Sequence, residues 1–312
     1  MVERLPVRYE AMRCRVCRRS IEPDLALLAA LGRRSAAARH EDCVYRCQCG
    51  LAYSNELREE ERQLVFPAPE RNVPKQVRAG LGEALGSAAN RKNRRSKLER
   101  FCFQSSEDAV VWTVMRGLEQ LERLDAVVAP RRPVGVPSLL LWGVPLSGSR
   151  AAATASALTD VCRSLGESPN SLSEPDVVLL WPNLLVVVEA KFLSQNQRRP
   201  NLRGFDRYLD RPDLFAVSPE AVAAAGYYEL TREWRIGSEL AHILDVPRFL
   251  LLNLGPPEKI ETDAQAFERL LAGRPEREFG YLSWSDLLEA AAPLQPWLDR
   301  YASERRRLLY WR

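Results

Sequence analysis

The apolar positions of this chain fall into three patterns. Between Glu107 and Leu124 they recur at helical spacing, with Val111, Met115, Leu118 and Leu121 on one stripe. Ser105 and Ser106 precede that stripe, and Glu107 and Asp108 open it. A hydroxyl that caps free N–H groups, followed by acids at the positive end of the helix dipole, is a helix start. An Ala-rich helix is predicted over 150–165, a helical region over 219–244, and further helices over 262–273 and 284–292, with a short one inside Pro23–Leu31. The second pattern is the unbroken apolar run: Ser138–Val144, Val177–Trp181, Leu184–Val188 and Arg248–Leu254. These runs are too short for helices and rich in Val and Leu, so they read as strands covered on both faces. The order helix, strand, helix, strand, strand, helix, strand predicts an α/β domain with a mixed central sheet flanked by helices. The third pattern is polar. Residues 66–76 contain Pro67, Pro69 and Pro74, and residues 76–100 are basic and interrupted by Gly80, Gly82 and Gly86. The expected organisation is a small module over 1–65, a basic linker or helical region over 66–104, and the main domain over 105–312.

Val177–Trp181 and Leu184–Val188 are separated only by Pro182 and Asn183, so the two runs are expected to form a hairpin. A two-residue loop pairs Trp181 with Leu184, and the same register sets Asp176 opposite Glu189. Opposed residues share a face, with Cβ atoms about 4.5–5.5 Å apart. Lys191 follows Glu189 by two and falls on that face as well. Two carboxylates held there repel one another. A divalent cation relieves the repulsion, and carboxylate oxygens are the ligands Mg²⁺ prefers. Such a cation polarises a phosphoryl oxygen and acidifies a bound water, while Lys191 orients that water or stabilises charge in the transition state. The plain alternative is a surface ion pair of Lys191 with Asp176 or Glu174, which does not need so apolar a pair of strands leading into it.

Composition narrows the partners. The 312 residues are 46% hydrophobic and 28% charged, values of a folded globular chain rather than a disordered or fibrous one. The net charge of +4 is mild, but it is unevenly placed. Residues 1–40, 71–100, 195–211 and 301–312 carry +5, +7, +3 and +3, so the rest of the chain is acidic. Basic segments of this kind favour a polyanion such as DNA, with solvated Arg-rich faces as the alternative. No run approaches the ~18 apolar residues that would span a membrane. The segment MVERLPVRYE lacks a signal-peptide core, so a cytoplasmic location is expected and cysteines read as thiols or metal ligands.

Five of the seven cysteines lie between residues 14 and 49. Cys14 and Cys17 form one knuckle. His40 with Cys43, or Cys47 with Cys49, supplies the second half of a tetrahedral site. A structural Zn²⁺ held by four of these six is expected, with Cys14 and Cys17 in either set. Arg13, Arg15, Arg18 and Arg19 make the module a candidate for reading DNA or docking a partner.

Pro175-Asp176, a gap of twelve residues, and Glu189-Ala190-Lys191 together resemble the signature of the PD-(D/E)XK nuclease superfamily. The resemblance spans roughly 105–255 and is most specific over 175–191. It implies a restriction-endonuclease-like core and a metal-dependent DNA endonuclease. Asp176, Glu189 and the backbone carbonyl of Ala190 would be ligands of Mg²⁺ or Mn²⁺, and Lys191 the catalytic lysine. The family often adds an acid from the first core helix, where Glu107 fits and Asp108, Glu119 and Glu122 compete. A role in restriction or anti-phage defence follows by analogy of fold alone. The alternative is a nucleic-acid-binding or scaffold protein with an inactive nuclease-like core. No G-x-x-x-x-G-K-[ST] occurs, so ATP-driven translocation would come from a separate ATPase or helicase subunit. Cutting both strands of a duplex would call for a homodimer.

Overall fold

The computed structural model describes residues 9–31, 39–56, 58–88, 90–92, 94–131, 133–200, 202–291 and 295–309; the remaining residues, which include parts of the stretches read above, lie outside it. The N-terminal module consists of an antiparallel pair, β1 (Met12–Arg13) and β2 (Ser20–Ile21), then helix α1 (Leu25–Leu31). An antiparallel three-stranded sheet follows, made of β3 (Tyr45–Arg46), β4 (Ala52–Tyr53) and β5 (Leu64–Val65). Helices α2 (Leu81–Ser87), α3 (Arg94–Phe101) and α4 (Glu107–Gln120) lead into the main sheet.

Its strands and helices are β6 (Ser138–Leu141), β7 (Val144–Ser147), α5 (Ala151–Ser164), β8 (Val177–Leu180), β9 (Leu185–Ala190), α6 (Pro219–Ala225), α7 (Tyr228–Ile243), β10 (Phe249–Leu254), α8 (Pro257–Glu268), β11 (Arg277–Leu282), α9 (Trp284–Ala290) and α10 (Pro296–Leu309). The six strands lie in the order β11-β10-β9-β8-β6-β7. The pairs β9–β10 and β10–β11 are parallel and the others antiparallel, so this is a mixed α/β sheet.

Alternation along β8 and β9 divides their side chains between two apolar layers. Val177, Leu179, Val186 and Val188 meet the layer that contains α4 and α9. Val178, Leu180, Leu185 and Val187 meet the layer that contains α5 and α7. Both faces are covered, which is why these strands carry no polar alternation.

Two readings change. The run Ser138–Val144 is two strands, because Trp142 and Gly143 both take positive φ (54° and 76°) and make the two-residue turn that pairs Leu141 with Val144. The helical region over 219–244 breaks at Gly226 into α6 and α7. Residues 66–104, read as a basic linker or helical region, hold helices α2 and α3, and Val73, Val77, Leu81, Leu85 and Phe101 are buried in the same core as the central sheet. The short strands β1–β5 of the N-terminal module, the edge strand β11 and the last helix α10 carry no clear apolar signal and are not expected from the sequence.

Candidate active site and zinc centre

The β8–β9 register is the expected one, with Val177 opposite Val188 and Leu180 opposite Leu185. Trp181 N–H donates to Leu184 O at 2.9 Å and closes the Pro182–Asn183 turn. Asp176 and Glu189 therefore meet at the end of the hairpin. The ladder stops there because Asp176 replaces the next backbone acceptor with its side chain: Ala190 N–H donates to Asp176 Oδ2 at 2.8 Å. By parity Asp176, Glu189 and Lys191 face the layer containing α7. Glu189 and Lys191 are 5% and 6% exposed, and the Lys191 ammonium lies 2.5 Å from Glu189 Oε1. Asn253 of β10 donates to the Glu189 carbonyl at 3.1 Å, and Trp284 Nε1 donates to the Lys191 carbonyl at 2.8 Å. The strand that carries both residues is thus fixed from β10 and α9.

Glu107 arrives from the other layer. Ser106 caps α4 by accepting from Ala109 N–H at 3.2 Å, and Glu107 in the first turn accepts from Phe192 N–H at 2.6 Å and Ser194 Oγ at 2.8 Å. Of its competitors, Asp108 pairs with Lys97 at 3.3 Å, Glu119 pairs with Arg116, and Glu122 sits beyond the end of α4. Glu107, Asp108, Asp176, Glu189 and Lys191 all line one cleft of about 860 Å³.

The electrostatics follow from crowding like charges where water is scarce. Burial first, then Glu189 and Glu107, hold the Asp176 carboxyl well above its usual range. Burial also pushes Glu107 up to about 7, against the opposing pull of Lys191 and its hydrogen bonds. For Lys191, burial disfavours the charge, but Glu189, Glu107, Glu229 and Asp176 outweigh it and raise the ammonium above its usual value. Hard oxygen donors whose charges are mutually unfavourable are the type a divalent cation takes, although among the described residues the four cysteines, and not these three carboxylates, are gathered within 4.8 Å of one another. Asp176, Glu189 and the Ala190 carbonyl would hold it, and Glu107 stands beside them.

The chain matches no family model, no curated protein and no solved structure.

Four of the six N-terminal candidates converge. The sulfurs of Cys14, Cys17, Cys47 and Cys49 all lie within 4.8 Å of one another, with Cys14–Cys49 at 3.8 Å and Cys17–Cys47 at 3.4 Å. Four sulfurs each ~2.3 Å from a central zinc are about 3.8 Å apart in a tetrahedron. Two tight turns present them: Arg18 N–H donates to Cys14 O at 3.0 Å, and Gly50 N–H donates to Cys47 O at 2.9 Å. Burial opposes ionisation of Cys14, but N–H groups of Cys17 and Val16 and the Tyr53 hydroxyl bring its thiol down to about 6, which favours the thiolate form that binds zinc. This group can hold a structural Zn²⁺. His40 and Cys43 stand apart from it. His40 Nε2 lies 3.1 Å from Gly50 O, and Cys43 packs with Ala52 and Val65, where burial pushes its thiol up to about 12.

Sequence reasoning did not reach Lys97, Glu229 or Arg232, which line the cleft from α3 and α7. Glu229 carries only a weak signal, an acid in the first turn of a helix.

Proposed function

We propose that this chain is a Mg²⁺-dependent DNA endonuclease of the PD-(D/E)XK type, with an N-terminal zinc module. The observation that carries this reading is the placement of Asp176 opposite Glu189 at the end of a fully buried hairpin, with Lys191 on the same face. Those carboxylates sit where they repel one another in the absence of a cation. A divalent cation held there would polarise the scissile phosphate and acidify an attacking water. Lys191, kept charged by its neighbours, stabilises the negative charge that develops on the phosphoryl oxygens. Glu107 accepts the Phe192 N–H and Ser194 hydroxyl and so fixes the chain just beyond Lys191. Arg100 and Arg207 line the same cleft and supply charge for a phosphate backbone. A homodimer would bring two such sites to the two strands of a duplex. Work on ATP would fall to a separate subunit, and a role in restriction or anti-phage defence rests on the family resemblance.

One observation favours a second reading, a nucleic-acid-binding or scaffold protein with an inactive core. Lys191 is engaged by Glu189 in a contact that is almost wholly buried, as a structural ion pair would be.

Cleavage assays separate the two. Supercoiled plasmid, single-stranded DNA and RNA are incubated with the zinc-loaded protein and Mg²⁺ or Mn²⁺, beside EDTA, Asp176→Ala and Lys191→Ala controls. Metal-dependent cutting that Asp176→Ala abolishes and Lys191→Ala lowers to a small residual rate is the expected result. A folded, zinc-loaded protein that cuts none of the three substrates supports the binding module instead.

A further inference from the structure

Lys191 has a second anionic partner, supplied by an element that the strand pattern does not include. Glu229, in the first turn of α7, places Oε2 3.0 Å from Lys191 Nζ. Glu229 side-chain exposure is 27%, but the Oε2 atom itself is buried and makes no aligned hydrogen bond, so its closest charge is the ammonium. Helix α7 crosses directly over β9 and β10 on the face that carries the acids. Its position is fixed by Leu230, Trp234 and Ile236, all buried in that layer.

On the nuclease reading, on which this inference rests, two cations compete for Glu189. Glu189 serves two cations in that reading, the Lys191 ammonium 2.5 Å away and a divalent ion shared with Asp176. A divalent ion draws the Glu189 carboxylate more strongly than an ammonium does, because the charge is doubled. The hold of Glu189 on Lys191 would then weaken when the charge of the ammonium is needed. Among the described residues, Glu229 is the other carboxylate within ion-pair distance of that ammonium. We propose that Glu229 is a positioning residue: it anchors the Lys191 side chain over the hairpin end when Glu189 is engaged by the metal. It holds the lysine rather than the metal or the substrate.

The test compares wild type with Glu229→Gln, Lys191→Ala, Glu189→Gln and the double variant Glu229→Gln/Lys191→Ala in the full-length, zinc-loaded protein. Metal affinity is read by titration calorimetry with Mg²⁺ alone, and cleavage on the best substrate of the wild type. Positioning predicts that Glu229→Gln lowers kcat by about 10- to 100-fold with KM little changed, the range typical of groups that orient a site from behind. Mg²⁺ affinity should stay within about twofold of wild type, whereas Glu189→Gln should lose it. The double variant should be no worse than Lys191→Ala alone, because Glu229 acts through that lysine. Losses that multiply in the double variant, or a Glu229→Gln protein that is fully active, overturn the proposal while leaving the nuclease intact. A parallel loss of Mg²⁺ affinity in Glu229→Gln overturns it too, and makes Glu229 a metal ligand. Should Glu229→Gln fail to fold, Glu229→Asp serves: a shorter carboxylate retains part of kcat, and no activity difference from wild type counts against positioning. A wild type that binds Mg²⁺ and cuts nothing removes the nuclease reading and this inference with it.

Discussion

Asp176, Glu189 and Glu107 repel one another in a cleft where all three are largely buried, and that repulsion has a pH dependence. Glu107 has a folded-state pKa of about 7 against an ordinary 4.5. Between those values the folded chain holds a proton that the unfolded chain has released. Stability of the metal-free protein therefore falls as pH rises through this window, and the penalty is complete above it. Glu107→Gln removes the titration. Its stability relative to wild type should climb from pH 4 to pH 8 by up to about 3 kcal/mol, measured by urea unfolding in EDTA. A difference that stays flat with pH would show that Glu107 does not titrate there. Glu278 has the opposite sign. Burial would raise its pKa, but Arg248 and Arg131, the latter at 2.8 Å, outweigh burial and hold the carboxyl below its usual range. Its contribution is present above the unfolded pKa and is lost as pH falls through the folded one. Glu278→Gln should thus cost about 1 kcal/mol at pH 7, as for other partly exposed pairs, and nothing near pH 2. At this scale the sequence exposes whatever alternation can carry: Asp176, Glu189 and Lys191 are linked by period two and one turn. Glu229 is not linked that way, because its partner lies across space on another element.

At the scale of elements, strong periodicity was legible and close approach was not. Ser106 and the stripe after it mark α4, and continuous Val and Leu mark β8, β9 and β10. The edge strand β11 escaped because only one side of it is covered and its residues, REFGYL, neither alternate cleanly nor form an apolar run. Trp142–Gly143 hides a hairpin turn inside an apolar stretch, since a tryptophan with φ of 54° is not a residue type expected there. The seating of α7 on the sheet is equally invisible in one dimension. It depends on Gly237, where an added Cβ would lie 2.2 Å from Cζ of Phe249 on β10. That ring is itself fully buried and packed against Trp234, with centroids 5.4 Å apart, so it has nowhere to retreat. Gly237→Ala should therefore cost about 1–3 kcal/mol in urea unfolding, the usual penalty of overpacking. Pairing it with Phe249→Leu should recover part of that loss, a coupling expected of residues in contact. Additive losses in the pair would place the cost elsewhere in the helix.

Over the whole molecule, the four-cysteine module is built into the fold rather than attached by a tether. Three prolines and a run of charge suggested a linker, but composition does not reveal that Asn72 and Phe101 of that region are held by tertiary partners. Asn72 donates to the Phe101 and Phe103 carbonyls at 2.6 and 2.7 Å, and Arg305 of α10 donates to Gln104 O at 2.8 Å. Strand β5 of the module is itself extended by this region. Phe66 N–H donates to Cys102 O at 2.8 Å, Gln104 N–H donates to Leu64 O at 2.9 Å, and Val65 pairs with Phe103. Three residues further on, Ser106 caps α4 and Glu107 enters the cleft, so the thiol cluster and the carboxylate cluster are joined by one short path. A structural zinc held by the four cysteines would contribute on the order of 10–16 kcal/mol of apparent binding free energy, which a module this small would not replace with its own core. Stripping the metal, or Cys17→Ser with Cys47→Ser, should loosen β5 and with it the segment that seats α4. Amide hydrogen exchange is the direct check. Protection should fall not only around the cysteines but also at Leu64–Phe66 and over 103–108, while β8, β9 and β10 keep theirs. Loss confined to residues before 62 would instead make the module an independent unit, and the placement of Glu107 would owe nothing to zinc.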